Sequence, residues 1–371
     1  MPFGSEGVSD QIGLALSGGG FRATLFHVGS MRRLAELGIL ARVGRISSVS
    51  GGSIASGRLA EVWDDYADDP TPERYDALVA RPLRAFCART IDAGAIATGF
   101  FSPFTSAAEE IEEEYAAHLM GKRLDQLPDD PVFVFNSTNI QTGRSFRFRK
   151  DYMGDYRIGL VRNPTLPVAR AVAASSAFPP VLSPVVIKDP GRFDPVEGAD
   201  LAGNSAFTRK LFLSDGGVYD NLGLETVWNR CSTVLVSDAG APFALNDRVK
   251  TDLVQQTMRA LDVATDQSRA LRKRALIDDF KRQERAGTYW GIDTNITKYT
   301  AAGALVCKPE RVRPLAAMRT RLDAFSEQEQ GELINWGYAL TDAAIRSHAA
   351  ELLGDESQPP AWPVPGFALD R

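Results

Sequence analysis

Three short apolar runs in this chain each stop at a turn rich in glycine or serine, and helical periodicity follows two of them at once. Ile12-Gly13-Leu14-Ala15-Leu16 enters Ser17-Gly18-Gly19-Gly20-Phe21-Arg22; Val43-Gly44-Arg45-Ile46-Ser47-Ser48-Val49 enters Ser50-Gly51-Gly52-Ser53; Leu211-Phe212-Leu213-Ser214 enters Asp215-Gly216-Gly217. Short apolar runs with tight boundaries predict buried strands, and strands alternating with helices predict an α/β fold. The turns then gather at one end of the sheet, where such folds place their ligands.

Each turn has a chemical reading and a bland one. Three glycines before a helix leave backbone N–H groups unpaired and unobstructed, so an oxygen carrying developing negative charge can sit against them. A phosphate is the rival occupant, but the loop has neither a P-loop ending nor a G-x-G-x-x-G pattern. The helix after it is expected over Phe21 to Leu37, with Leu25, Val28, Met31 and Ala35 on its apolar face and Gly38 as its stop. Ser50 stands at the next strand-to-helix joint, before a helix expected over Gly52 to Tyr66. A nucleophile elbow needs small residues two before and two after its serine, and here these are Ser48 and Gly52. Serines at such a joint also serve simply as turn and cap residues. Asp215 is expected at the end of a strand of a parallel sheet, although Asp-Gly is a common turn dipeptide with no chemistry attached. Asp238, after Thr233-Val234-Leu235-Val236-Ser237, is the rival acid.

A serine nucleophile normally has a histidine base. The chain has three histidines: His27 inside the first helix, His118 near the end of a second helical stretch, and His348 inside the last helix. Chain order admits only His348 to a triad. The simpler reading pairs Ser50 with Asp215, whose carboxylate takes the hydroxyl proton directly or through water.

On these residues the chain resembles the patatin-like phospholipases, serine lipid acyl hydrolases with a Ser-Asp dyad. The resemblance is carried by Gly18 to Arg22, Ser48 to Gly52, Asp215 to Gly217, Asn139-Ile140-Gln141-Thr142-Gly143 and Ala171-Val172-Ala173-Ala174-Ser175-Ser176-Ala177-Phe178-Pro179-Pro180. Ser48 departs from the glycine usual at that position of the elbow. The Gly-Gly-Gly-Phe-Arg-Ala wording is also similar to that of the cytosolic phospholipases of animals. The resemblance implies a three-layer α/β/α fold around a central, mostly parallel sheet. It also implies Ser50 as nucleophile and Asp215 as base, with Gly18, Gly19, Gly20 and Arg22 at the oxyanion hole. Arg22 and Gly51 are implied to meet substrate, Arg22 through the lipid phosphate, and the Ala171–Pro180 segment to form a helix ending against the site. Neither metal nor cofactor is implied. The catalytic core is expected over roughly residues 10–240, with a mainly helical extension over 241–371 packed on it.

Composition narrows the partners. With 44% hydrophobic and 24% charged residues among 371, the chain can bury a large core, and its net charge of −5 argues against nucleic acid. Cys87, Cys231 and Cys307 are widely spaced, which suits reduced thiols. Residues 1–11 lack the basic and apolar regions of a signal peptide, so a cytoplasmic protein is expected. Phe100, Phe101 and Phe104, together with Arg269, Arg272, Lys273, Arg274, Lys281, Arg282 and Arg285 on one helix, suit contact with a membrane surface; a buried aromatic cluster and a solvated helix face are the bland readings. Val132–Asn136 and Arg144–Phe148 predict a hairpin, Asn246 or Asp247 caps a long helix stopping at Gly287, and Ser326-Glu327-Gln328-Glu329 predicts a capping box for a helix through Ala350. The proline-rich tail is expected to be an extended strap or disordered. Three functions follow: hydrolysis of phospholipid or lysophospholipid esters, acyl transfer or thioester cleavage by the same dyad, and non-catalytic lipid binding.

Overall fold

The apolar runs become strands because the sheet they form is covered on both faces. In β1 (Ser9–Leu16), Leu14 and Leu16 pack into one apolar cluster while Ala15 packs into another. The computed structural model describes residues 7–91, 107–179, 182–354 and 358–370. Nine further strands complete the sheet: β2 (Val43–Ser48), β3 (Val132–Asn139), β4 (Arg144–Phe148), β5 (Tyr152–Asp155), β6 (Gly159–Arg162), β7 (Val185–Lys188), β8 (Lys210–Asp215), β9 (Cys231–Asp238) and β10 (Ala286–Gly291). Their order is β10-β9-β1-β2-β3-β4-β5-β6, with β8 paired to β3 and β7 to β8. The β3–β4 hairpin forms as expected, Asn139 facing Arg144.

The sheet is mixed. Pairing is parallel from β10 through β3 and antiparallel from β3 outward, including β8. Two pairs of facing residues locate the consequence: Phe135 of β3 has Ser48 on one side and Phe148 on the other, and Ser137 has Asp215 on one side and Phe146 on the other. Because β4 holds the same edge of β3 throughout, β2 and β8 must share the opposite edge, running toward each other. Their C-terminal ends meet head to head. Asp215 therefore arrives on an antiparallel strand, not on the parallel one expected from sequence.

Six helices frame this junction: α1 (Gly20–Glu36), α2 (Gly51–Glu61), α3 (Val168–Ser175), α4 (Leu253–Lys281), α5 (Pro309–Ala316) and α6 (Glu327–His348). α1 and α6 cross closely, since a Cβ on Gly29 would stand 1.9 Å from the Ile334 carbonyl oxygen and one on Gly337 would stand 2.0 Å from that of Phe26. Beside the crossing, the buried Arg33 and Asp342 form an ion pair at 2.7 Å. Each has a further partner, Glu36 at 2.7 Å from Arg33 and Arg346 at 3.0 Å from Asp342. The capping box is present, Ser326 Oγ accepting from Glu329 N and Glu329 Oε2 from Ser326 N. The tail is strapped to α6, with Asn335 Nδ2 donating to the carbonyls of Val364 and Phe367.

Several boundaries differ from those read in the sequence. α2 stops at Glu61, and a separate helix covers Trp63–Asp68. α4 begins after Asp252, whose Oδ1 caps it through Gln255 N at 3.0 Å, while Asn246 and Asp247 lie upstream in the loop. It ends at Lys281, and Gly287 falls inside β10. That strand escaped notice because glycine occurs at both ends of its short run, which reads as a turn. Its apolar members, Tyr289 and Trp290, are nevertheless buried. Among the described residues, no helix is long and apolar enough to cross a membrane.

Candidate active site

Ser50 occupies the joint between β2 and α2 with φ 51° and ψ −120°, in the left-handed half of backbone space that side chains avoid. Close packing holds it there. A Cβ on Gly52 would meet the Leu16 carbonyl oxygen at 2.4 Å, and one on Gly51 would meet that of Gly20 at 2.0 Å, so both neighbours must be glycine. Below the turn, Ser175 at the end of α3 accepts from Ser50 N at 3.1 Å, lies 2.9 Å from Ser53 Oγ, and donates to the Asn136 carbonyl at 2.6 Å. Ser48, which stands where glycine is usual, accepts from Ser53 at 3.0 Å and Ser56 at 2.7 Å. The departure from the elbow pattern is thus absorbed into a buried hydroxyl network.

Asp215 faces this turn from the end of β8. Its Oδ1 accepts from Gly217 N at 2.6 Å, and the Ser50 hydroxyl lies near enough to favour the charged form of the same carboxylate. Burial pushes the carboxyl up to about 7 against the lowering effect of the Gly217 amide and the Ser50 hydroxyl. A base poised near neutrality takes a hydroxyl proton and returns it. A Cβ on Gly217 would fall 2.9 Å from Asp215 Oδ1 and 2.5 Å from Asn221 Oδ1, which accounts for the second glycine of this turn.

The glycine loop lies against both groups. A Cβ on Gly18 would stand 3.1 Å from Ser50 Cβ. The Gly18 N–H already donates to the Asn221 carbonyl at 3.0 Å, whereas those of Gly19, Gly20 and Gly51 have no hydrogen-bond partner among the described residues. Gly19 has φ 142° and Gly20 φ 55°, conformations open to glycine. The segment after α5 covers the loop, and a Cβ on Gly20 would coincide with the Thr320 carbonyl at 1.6 Å. Arg22 ties these parts together. It is buried, its Nη1 donating to the carbonyls of Ala316 at 3.0 Å and Met318 at 2.8 Å, and its Nη2 to that of Ala239 at 2.7 Å. Of the two places the resemblance gives it, at the oxyanion loop and on a lipid phosphate, this geometry supports the first, with Arg22 bracing the loop.

A strained serine, a buried carboxylate and a row of open amides stand together at one end of the sheet, and the model of the family described as patatin-like phospholipase matches residues 14–228. The chain belongs to the patatin-like phospholipase family. The patatin-like chain also shares its fold with human GIVD cytosolic phospholipase A2, at 14% identity and TM-score 0.54 over 94% of this chain and 59% of that one. The same human enzyme in complex with methyl gamma-linolenyl fluorophosphonate is similar at 15% identity and TM-score 0.51, over 92% of this chain and 58% of that one. The chain thus spans less than two thirds of the length of these structural relatives. A comparison with curated proteins returns no match.

The rival groups of the patatin-like chain are engaged elsewhere. Asp238 accepts from Tyr289 O–H at 2.7 Å and Gly240 N at 2.8 Å, with Arg269 at 3.5 Å. Burial acts to raise its carboxyl, but Arg269, the tyrosine and the amide outweigh burial and hold it below the usual range. His27 is buried, with Nε2 2.9 Å from the Ser17 carbonyl, so that nitrogen carries the proton and Nδ1 accepts from Ser237. Burial lowers it to about 4 despite the Ser17 contact. His118 lies beside Glu114 and His348 against the Tyr299 ring, both away from Ser50.

Other expectations fall elsewhere. Phe100, Phe101, Phe104 and Pro180 lie outside the described residues. Much of the basic run of α4 turns inward: Arg272 pairs with Asp220 and Glu225, and Lys273 sits over the Tyr289 ring. A cavity of about 650 Å³ bounded by Trp63, Asp68, Pro128 and Lys150 lies near the N-terminal end of β3, the end opposite Ser50. Sequence reasoning missed Asn221 and the support given by Ser175. Ser175 had a signal in its position at the end of an apolar helix; Asn221, six residues past Asp215, had none.

Proposed function

We propose that the protein is a serine lipid acyl hydrolase that cleaves carboxyl esters of phospholipids or lysophospholipids through an acyl-enzyme. Asp215 takes the Ser50 hydroxyl proton as Oγ bonds to the ester carbonyl carbon, and the carbonyl oxygen becomes an oxyanion facing the N–H groups of Gly19, Gly20 and Gly51. Collapse breaks the bond to the alcohol, which leaves with the proton held by Asp215. Water then attacks the acyl-Ser50 ester, its proton passing to Asp215, and collapse releases the fatty acid with Ser50 reprotonated.

The observation that carries this reading is the strained Ser50 standing beside a buried carboxyl pushed up to about 7. It accounts for a proton path without histidine. A fluorophosphonate should label Ser50 and no other serine, and Ser50→Ala should lose both labelling and hydrolysis of a lysophospholipid while keeping its melting temperature. Undiminished labelling of the folded variant overturns the assignment.

A further inference from the structure

On the flank of the glycine loop, a guanidinium and a side-chain amide stand with donors to spare. Arg269, on α4, is largely buried, yet its closest carboxylates, Asp238 at 3.5 Å and Asp266 at 3.6 Å, both lie beyond good hydrogen-bond length, and it makes no hydrogen bond among the described residues. Both oxygens of Asp238 are already accepting, from Gly240 N and Tyr289 O–H. Arg269 presses also on the backbone after β9, where a Cβ on Gly240 would stand 2.2 Å from Arg269 Nη1, 2.9 Å from Asn221 Nδ2 and 2.9 Å from Asp238 Oδ1. The other end of the same Asn221 amide faces the dyad, its Oδ1 2.4 Å from a Cβ on Gly18 and 2.5 Å from one on Gly217. The Asn221 Nδ2 also donates to nothing among the described residues.

The donors form a series. Open amides of Gly19, Gly20 and Gly51 lie against Ser50; next comes the Asn221 Nδ2, and beyond Gly240 the five-donor fork of Arg269. A planar guanidinium whose N–H groups are ion-paired but make no hydrogen bond among the described residues matches the oxygens of a phosphodiester. The cation expected from sequence to do this, Arg22, has both Nη atoms on carbonyls.

We infer that Arg269 and Asn221 form a subsite for the phosphodiester of the substrate, one group removed from the ester that Ser50 attacks. This rests on the proposed hydrolase reading, and its test separates the two. The first arm compares wild type, Arg269→Gln and Arg269→Lys on dihexanoyl phosphatidylcholine below its micellar concentration and on p-nitrophenyl butyrate. Loss of a charge-assisted hydrogen bond is worth about 10- to 100-fold, so the preference for the phospholipid should fall by that factor in Arg269→Gln, through KM more than kcat. Arg269→Lys, which keeps the charge and loses the fork, should fall between. An unchanged preference in a folded Arg269→Gln protein overturns the subsite.

The second arm needs no turnover. Glycerophosphocholine titrated calorimetrically into Ser50→Ala should bind, and the heat should vanish when Arg269→Gln is added. Such binding upholds the subsite even if wild type cleaves neither ester, a result that would sink only the hydrolase reading. Absence of binding overturns the subsite. Inorganic phosphate binding as tightly as glycerophosphocholine overturns the headgroup assignment in favour of a free anion.

Discussion

The ends of β8 and β9 carry the same local chemistry with opposite outcomes. Asp215 and Asp238 both close a strand, both are buried, and each has an Oδ1 that accepts from the glycine N–H two residues on. Burial is the largest influence on each and acts to raise both. Asp238 has Arg269 nearby and Tyr289 hydrogen-bonded, and is held below 3.8; Asp215 has a serine hydroxyl in place of a cation and rises to about 7. Identical strand ends thus become a permanent anion that organises structure and a carboxyl that exchanges protons near neutrality. The deciding partners come from other elements: α4 and β10 for Asp238, the turn after β2 for Asp215.

The largest effect that would break this comparison is catalytic. Asp215→Asn should lower turnover of either ester by at least about a hundredfold, the lower end for a positioned general base, while Asp238→Asn should retain activity within about tenfold. Reversal of the two in steady-state assays would move the base to β9. Stability should show the opposite ranking at pH 7. Asp238→Asn leaves the largely buried Arg269 with Asp266 alone at 3.6 Å and should cost about 1–3 kcal/mol in denaturant unfolding; Asp215→Asn removes no ion pair.

Dependence on pH sharpens the contrast. Only ionised Asp215 can take the Ser50 proton, so kcat/KM should rise roughly tenfold between pH 6 and pH 8, and a flat profile would exclude a base near 7. In folding, the raised Asp215 contributes stability that is present below 3.8 and is lost as pH climbs through about 7. Asp215→Asn should therefore gain on wild type in melting temperature from pH 5 to pH 8. The lowered Asp238 contributes stability above 3.8 that is lost as pH falls through its folded value, so the deficit of Asp238→Asn should shrink in acid. Smallest of all, Ser48→Ala removes one acceptor from the hydroxyl network beneath the elbow and should cost about 1 kcal/mol, with activity kept within a few fold. Abolition of labelling by this change would mean that Ser48 does more than hold Ser53 and Ser56.

What could be read along the chain was what a few consecutive residues impose. Gly52 and Gly20 tolerate no side chain, an apolar run of five or six residues finds a strand, and Ser326 to Glu329 cap a helix by themselves, so the elbow, the glycine loop and α6 were legible. The first two piece together a candidate site because each turn carries its own steric demand. Tertiary structure decided the rest. That β8 approaches β2 head to head along one edge of β3 follows from pairing between strands 74 to 87 residues apart, and neither Asp215-Gly216-Gly217 nor Asp238-Ala239-Gly240 sets the charge of its carboxyl by itself. Arg22 looked like a substrate cation until three carbonyls, from positions 217 to 296 residues away, took up its donors. Charge state and hydrogen-bond capacity depend on which groups come within a few ångströms in the folded chain, and sequence spacing does not encode that distance.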